Sequence, residues 1–194
     1  MLHLPRRFYF TDESTLPLPS STEEEARLLT KLHHLPKDTG IILRHYSLSQ
    51  HQRARLGNIL KKTGRVLLVA GDPQLARRLT ADGLHLPQWQ LQSLATAHAR
   101  LTQFPSQWII SAAIHGLGAG AAANRMKVDL AFASPVRPTQ SHPNAAHLGT
   151  IKLAHLVSQA QHPVYALGGM NEKSFKQCRH TGITGYGGIR FSAA

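Results

Sequence analysis

Short apolar runs alternate with helical patterns along the whole of this sequence, and that alternation restricts the fold more than any other feature. The predicted strands are residues 7–10, 40–44, 66–70, 83–86, 108–112, 130–133, 163–166 and 184–187. Because helical segments separate these buried runs, the strands are expected to be parallel and joined by helical crossovers. Eight such units favour a closed (β/α)₈ TIM barrel over an open doubly wound sheet.

The helical segments carry start signals of their own. Ser21-Thr22-Glu23-Glu24 matches a capping box, and Asp72-Pro73 supplies an N-cap followed by a proline at the first helical position. Further helices are predicted over residues 49–62, 117–126, 151–159 and 171–180. About six residues follow Gly188, so we expect a truncated final helix, with residues 1–194 forming a single domain.

The net charge of +12 raises the question of a nucleic-acid partner. The basic residues around Arg53, Arg55 and Lys61 fall on predicted helices without interleaved aromatic side chains that could stack on bases. We therefore interpret the charge as a basic solvated surface that attracts anionic substrates, and we expect no nucleic-acid partner.

Other classes of protein are disfavoured by composition. No apolar stretch has the length of a membrane span or of a signal peptide. The single cysteine, Cys178, cannot form an intramolecular disulfide and fits a reducing compartment, so we predict a cytoplasmic protein. Acidic residues are sparse in the second half, which disfavours a carboxylate metal cage there. The composition is compatible with a homo-oligomer.

Two pairs of glycines occur where a barrel of this kind binds phosphate. Gly168-Gly169 follows the predicted seventh strand, and Gly187-Gly188 follows the predicted eighth. Glycine lets main-chain N–H groups approach phosphate oxygens, and phosphate sites in TIM barrels lie near strands seven and eight. These four glycines are therefore the predicted phosphate-binding residues; the alternative is a pair of ordinary tight turns.

Polar side chains follow two further strands. Residues 134–143 form a proline-rich loop after the sixth strand, with Ser134, Thr139, Ser141 and His142 as candidate substrate contacts. His115 closes the predicted fifth strand, where an imidazole could act as general acid or base. A surface loop and a structural histidine are the corresponding alternatives.

A glycine-rich segment after the fifth strand must also be considered. Residues 116–121 fit the pattern G-x-G-x-x-A of dinucleotide-binding folds. That pattern expects an acid at the end of the next strand, whereas Asp129 precedes the strand. The segment also comes fifth in the series of strands, so we disfavour a dinucleotide site.

Several segments in a fixed order resemble one family. Residues 81–88 (ADGLHLPQ) are similar to the ADGVHLGQ segment of thiamine phosphate synthases and TenI-like proteins. Residues 132–143 resemble their GFGPIFPTPTKP loop, residues 163–170 (PVYALGGM) their PVVAIGGI, and residues 109–115 their IIGVSTH. The resemblance is close from Leu68 onward and thin before it, where Leu43-Arg44 matches part of a Gln-x-Arg-x-Lys strand.

The resemblance implies binding of a thiazole phosphate on the four glycines. Synthases of the family join a pyrimidine pyrophosphate to this thiazole phosphate with magnesium, whereas TenI-like relatives rearrange the thiazole tautomer by proton transfer. The tautomerase histidine falls on His115, and the family arginine falls on Arg44. The sequence therefore predicts an enzyme of one of these two kinds.

Departures from the family pattern favour the TenI-like interpretation. The synthase's Asn-Asp pair falls on Ala70-Gly71, and its second metal acid falls on Gln90. Its serine of strand five falls on Ala113, and its lysine of strand two on Tyr46. Asp72, one position beyond the pair, is the remaining metal candidate.

Our leading sequence-based hypothesis is thus a TenI-like thiazole phosphate binder without a cofactor, and a tautomerase if His115 transfers protons. The first alternative is a divergent synthase that uses Mg²⁺, with Asp72, Arg44, Ser141 and His142 in place of the missing groups. The second alternative is a non-catalytic barrel that binds a phosphate ligand or a protein partner.

Overall fold

The eight predicted strands form one closed parallel barrel in sequence order, which confirms the predicted (β/α)₈ TIM barrel. The computed structural model describes residues 4–97, 103–138 and 146–190. β1 pairs with both β2 and β8, and this double pairing closes the sheet. The strands are β1 (Arg7–Phe10), β2 (Thr39–Leu43), β3 (Leu67–Ala70), β4 (Gly83–Leu86), β5 (Ile109–Ile114), β6 (Leu130–Ala133), β7 (Val164–Ala166) and β8 (Gly185–Gly188). A closed barrel excludes the open dinucleotide-binding sheet considered for residues 116–121.

Within the described ranges, seven α-helices follow the first seven strands and cover the outside of the barrel. They are α1 (Thr22–His33), α2 (Gln50–Lys61), α3 (Pro73–Arg78), α4 (Gln88–Thr96), α5 (Leu117–Met126), α6 (Gly149–Gln159) and α7 (Glu172–Cys178), with a 3₁₀ turn at Arg179–Thr181. Helix α4 was not predicted from the sequence. No helix follows β8 within the described ranges, and none of the helices described there is long and apolar enough to cross a membrane.

The helix start signals are confirmed in part. The Ser21 side chain accepts from the amide of Glu24, but the Glu24 carboxylate accepts from Ser20 rather than completing a box on Ser21. A reciprocal capping box forms instead at Ser49 and Gln52, at the start of α2. Asp72 caps α3 as predicted, with its Oδ1 accepting from the amide of Leu75 at 2.8 Å.

Aromatic rings fill the bore of the barrel. The ring centroids of Phe8 and Phe132 lie 5.3 Å apart, those of Phe10 and Phe132 4.9 Å apart, and those of Phe132 and Tyr165 5.5 Å apart. All four side chains are buried, and the Tyr165 hydroxyl donates to the main-chain carbonyl of Pro5 at 2.9 Å. Edge-to-face contacts of this kind stabilise the core beyond the area they bury, so the interior is a packed plug.

Two acids that precede strands have the same structural role. Asp82, just before β4, accepts from the amide of Leu67 at 2.8 Å. Asp129, just before β6, accepts from the amide of Ile110 at 2.7 Å. Each carboxylate thus satisfies an amide at the start of the preceding strand, where no ladder partner is available. Asp82 and Asp129 therefore both act as strand caps.

Arginines from the N-terminal segment cover the outer face of β8. Arg7 donates to Glu172 at 2.8 Å and to the Tyr186 hydroxyl at 3.1 Å, and it also pairs with Asp38. The Arg6 guanidinium lies 4.9 Å from the centroid of the Phe175 ring. Tyr186 is therefore buried against cationic side chains as well as α7.

Candidate active site

The closed barrel brings the described candidate residues to one rim. Arg44 directly follows β2, His115 follows β5 and Ser134 follows β6, while Gly168 lies two residues beyond β7 and Gly187 near the end of β8. In a parallel barrel the carboxyl ends of all strands open on the same side, which we call the mouth. Thr139, Ser141 and His142 lie outside the described residues.

The turn after β7 requires glycine. Gly168 and Gly169 have φ values of +87° and +65°, a backbone region that side-chain-bearing residues rarely adopt. A Cβ atom on Gly168 would lie 2.9 Å from Cα of Pro135, and one on Gly169 would lie 2.7 Å from the carbonyl oxygen of Pro138. The loop after β6 therefore packs directly on this turn.

The main-chain amides of this turn have no partner in the part of the chain that the structure describes. Within the described residues, neither Gly168 N–H nor Gly169 N–H donates a hydrogen bond. Gly168 is half-buried and Gly169 is exposed, so the two neighbouring donors are accessible to an anion.

The second glycine pair lies beside the first. A Cβ on Gly187 would be 3.2 Å from Cδ1 of Leu167, and one on Gly188 would be 3.6 Å from the carbonyl oxygen of Met170. Both glycines are the last residues of β8 and have no left-handed backbone conformation. Space is short at Gly187, where the same Cβ would meet the ring of Phe10 at 2.7 Å, whereas at Gly188 it would make only ordinary contacts.

His115 is held by three polar contacts. Its Nδ1 lies 2.6 Å from the main-chain carbonyl oxygen of Ser134 and 3.1 Å from Ser134 Oγ. The amide of His115 donates to Oε1 of Gln88 at 2.8 Å. A carbonyl oxygen can only accept, so Nδ1 carries the proton, and the neutral ring has its lone pair on Nε2.

A second histidine inside the mouth was not singled out from the sequence. His85 on β4 is buried, its Nδ1 lies 2.9 Å from Oγ of Ser111, and its ring lies against Phe10. Burial, with smaller contributions from the charges of Arg44 and His115, lowers the pKa of His85 to about 3. His85 is therefore neutral at physiological pH. The alternation of β4, which points every second side chain inward, was the signal that could have found it.

Arg44 extends along the β1–β2 side of the mouth. Its Nε donates to the carbonyl of Thr11 at 3.0 Å, and its Nη2 donates to Oδ2 of Asp12 at 2.8 Å. Its guanidinium carbon lies 5.7 Å from the centroid of the Phe10 ring. Nη1 has no partner in the described part of the chain, so Arg44 keeps a donor for a ligand.

The residues present do not fit a magnesium site. Asp72 Oδ1 is taken up by the cap of α3, and its Oδ2 lies 3.7 Å from Nη1 of Arg53. The second family position is Gln90, a neutral amide. Among the described residues no three His, Cys, Asp or Glu side chains converge to hold a metal ion, whereas Mg²⁺ prefers carboxylates that are free to coordinate.

Comparison with known proteins decides the family. The sequence model described as thiamine monophosphate synthase matches residues 23–190. The chain belongs to the thiamine monophosphate synthase family. This match confirms the resemblance found in the sequence, and it places the chain in a family of thiamine biosynthesis enzymes.

Individual relatives support the same assignment. The chain is 31% identical over 144 residues to the "Putative thiamine-phosphate synthase 2" of Aquifex aeolicus (strain VF5), covering 74% of this chain and 73% of the relative. It is also 31% identical over 144 residues to the thiamine-phosphate synthase of Limosilactobacillus fermentum (strain NBRC 3956 / LMG 18251), of which it spans 65%.

A solved structure shares the fold. The "Thiamine phosphate pyrophosphorylase from Pyrococcus furiosus" superposes with a TM-score of 0.69 at 20% identity, covering 97% of this chain and 86% of that one. At this identity the likeness supports the barrel alone.

Proposed function

We propose that this member of the thiamine monophosphate synthase family binds a thiazole phosphate at its mouth and joins it to a pyrimidine pyrophosphate, with release of pyrophosphate. The observation that carries the proposal is the pair of open amides at Gly168 and Gly169, beside the end of β8. A phosphoryl group accepts from such amides, and both are fixed by left-handed backbone that glycine alone adopts readily. The names of the curated relatives support the synthase reaction.

The side chains around this phosphate site would orient the rest of the ligand. Arg44, which the resemblance matches to the family arginine, offers its free Nη1 on the β1–β2 side of the mouth. Phe10 forms the floor between the two sides and excludes water from beneath. The reaction needs both substrates bound side by side. The protein then accelerates it by orienting the two reactants, without a covalent intermediate on one of its own side chains.

A tautomerase is the second candidate, and His115 favours it. The Nδ1 contact with the Ser134 carbonyl leaves Nε2 as the acceptor for a proton. A base of this kind suits proton transfer on a thiazole phosphate carboxylate. Asp72, the remaining metal candidate of the synthase, is engaged with Leu75 and Arg53 instead.

Two assays on the purified protein separate these functions. The first supplies thiazole phosphate and hydroxymethylpyrimidine pyrophosphate, with and without Mg²⁺, and measures thiamine phosphate. The second follows the isomerisation of thiazole phosphate carboxylate by NMR. Coupling above background supports the synthase, and isomerisation alone supports the tautomerase. Calorimetric binding of thiazole phosphate without either product would indicate the non-catalytic barrel, and absence of binding would refute the phosphate site.

A further inference from the structure

The mouth has an aromatic edge between β2 and β4. We define this β2–β4 edge by Tyr46, Gly71 and Pro87, which lie together, and by Trp89 and Gln90 in the first turn of α4, directly after Pro87. Tyr46 and Trp89 are 58% and 68% exposed, which is unusual for large rings. A Cβ on Gly71 would lie 3.6 Å from both Tyr46 Cε1 and Pro87 Cγ, so those side chains converge on the same point.

A fixed positive charge lies beneath this edge. Arg53, only 7% exposed, donates through Nη2 to the carbonyl oxygens of Leu43 at 3.2 Å and Ala70 at 2.5 Å. Its Nη1 lies 3.7 Å from Oδ2 of Asp72, and its guanidinium carbon lies 5.3 Å from the centroid of the Tyr46 ring. A guanidinium stays charged at any physiological pH, so the Asp72 carboxylate is already compensated.

The other charged groups of this side are also engaged. Asp12 pairs with Arg44 at 2.8 Å, and Glu13 accepts from Ser47 Oγ at 2.9 Å. One acceptor remains: Gln90 Oε1 is buried and has no hydrogen-bond partner within the described residues. An unpartnered buried acceptor costs stability and calls for a donor from water or a ligand.

We propose that the Arg53 guanidinium takes the place of the divalent cation expected at the β2–β4 edge, so that an anionic heterocycle binds there without metal. A cation brought close to Arg53 would be repelled by it, and the described residues hold no group of three His, Cys, Asp or Glu side chains that could bind a metal ion. Stacking on aromatic side chains depends on the ring of the ligand and is independent of metal. The inference rests on the proposed function, because that function identifies the heterocycle as a pyrimidine.

Trp89 provides a direct readout of this site. The other tryptophan, Trp108, is buried beside Phe104, so a ligand at the edge changes mainly the fluorescence of Trp89. We would titrate the intact protein with hydroxymethylpyrimidine pyrophosphate and, separately, with the uncharged hydroxymethylpyrimidine, each in MgCl₂ and in EDTA. The dissociation constant of each ligand is expected to differ by less than about twofold between the two buffers. The signal is expected to vanish in Trp89→Phe.

A variant pair tests the role of Arg53. Arg53→Met leaves Asp72 uncompensated, so Mg²⁺ is expected to strengthen pyrophosphate binding by about tenfold in that variant. Arg55→Met, an exposed position on the same helix, is the control and is expected to behave as the wild type. If Arg53→Met does not fold, the wild-type comparison between MgCl₂ and EDTA still decides the question.

Three outcomes would overturn the proposal. The first is a gain of about tenfold or more in the affinity for the pyrophosphate ligand when Mg²⁺ is added to the wild type. The second is a folded Arg53→Met protein whose affinity for this ligand does not depend on magnesium. The third is the absence of binding of either pyrimidine. Calorimetry with thiazole phosphate on the same preparation tests the glycine turns independently, so its failure would refute the proposed function instead.

Discussion

The Nδ1 atom of His115 lies 2.6 Å from the main-chain carbonyl oxygen of Ser134. This contact joins the ends of β5 and β6, and it assigns the proton of the neutral imidazole to Nδ1. The Ser134 hydroxyl, 3.1 Å from the same nitrogen, adds a second contact. The ring is therefore oriented by backbone rather than by a side chain that one mutation could remove.

His115→Gln is expected to remove proton transfer. If the protein is a tautomerase, turnover should fall by about 10²–10⁴-fold, while the affinity for thiazole phosphate should change little. Ser134→Ala is the matched control, because it deletes the hydroxyl and keeps the main-chain carbonyl. Turnover of this variant should fall by less than about tenfold. Nitrogen-15 NMR should show the Nδ1–H tautomer in the wild type. Unchanged isomerisation by His115→Gln would rule this residue out.

Gly168→Ala is expected to weaken both stability and phosphate binding. The variant combines left-handed strain with a contact of 2.9 Å to Pro135, so we expect a loss of about 2–4 kcal/mol in the free energy of unfolding. Gly149→Ala is the control: it has a φ of +67° and nothing within 4 Å of the added Cβ. It should cost about 1 kcal/mol and leave thiazole phosphate affinity intact. Equal effects in the two variants, measured by urea unfolding and calorimetry, would contradict the close packing of the β6 loop on the turn.

His85 should make the protein less stable in mild acid. Its pKa is about 3 in the folded protein, below the ordinary value of 6.5, so the unfolded chain binds a proton that the folded chain does not. The contribution of the neutral His85 side chain to the free energy of unfolding is therefore complete above about pH 6.5. It is lost as the pH falls from there towards 3, at up to about 1.4 kcal/mol per pH unit. Urea unfolding at pH 7.5 and at pH 5 should show a smaller difference in His85→Asn than in the wild type. Equal differences in the two proteins would mean that His85 is not held neutral.

Arg7→Met should destabilise the outer face of β8. The side chain is only 13% exposed and pairs with Glu172, and its loss leaves that carboxylate without its closest cation. We expect a loss of about 1–3 kcal/mol in the free energy of unfolding. Arg27→Met is the control, because its pair with Glu23 is 74% exposed on both sides and should contribute less than about 0.5 kcal/mol. Equal losses in the two variants would refute a special role for Arg7.

The strand series and the glycine turn after β7 could be predicted from the sequence, whereas Gly187 and Gly188, which were expected to follow the eighth strand, are its last two residues. Apolar runs such as Leu67–Ala70 are buried on both faces, so their composition alone marks them as strands. Gly168 could be placed because glycine after a buried strand signals a backbone that other residues avoid. Helix α4 was missed, since Pro87 precedes it and its N-cap has no side-chain hydrogen bond to announce it.

Arg53 could not be placed from the sequence, and its assignment to a solvated basic surface was wrong. It lies one helical turn into α2 among other basic residues, and nothing in that pattern distinguishes it from exposed Arg55. What buries it is a tertiary relationship: its guanidinium contacts the carbonyl ends of β2 and β3, which lie side by side in the sheet. The partners of a buried charge are distant in sequence, so local periodicity does not reveal them.

The rings of Phe8, Phe132 and Tyr165 that close the bore also affect kinetics. With the interior filled, entry and exit must share one opening. A product that leaves slowly therefore blocks the next substrate, and product inhibition should be competitive with the ligand that binds the same side of that opening.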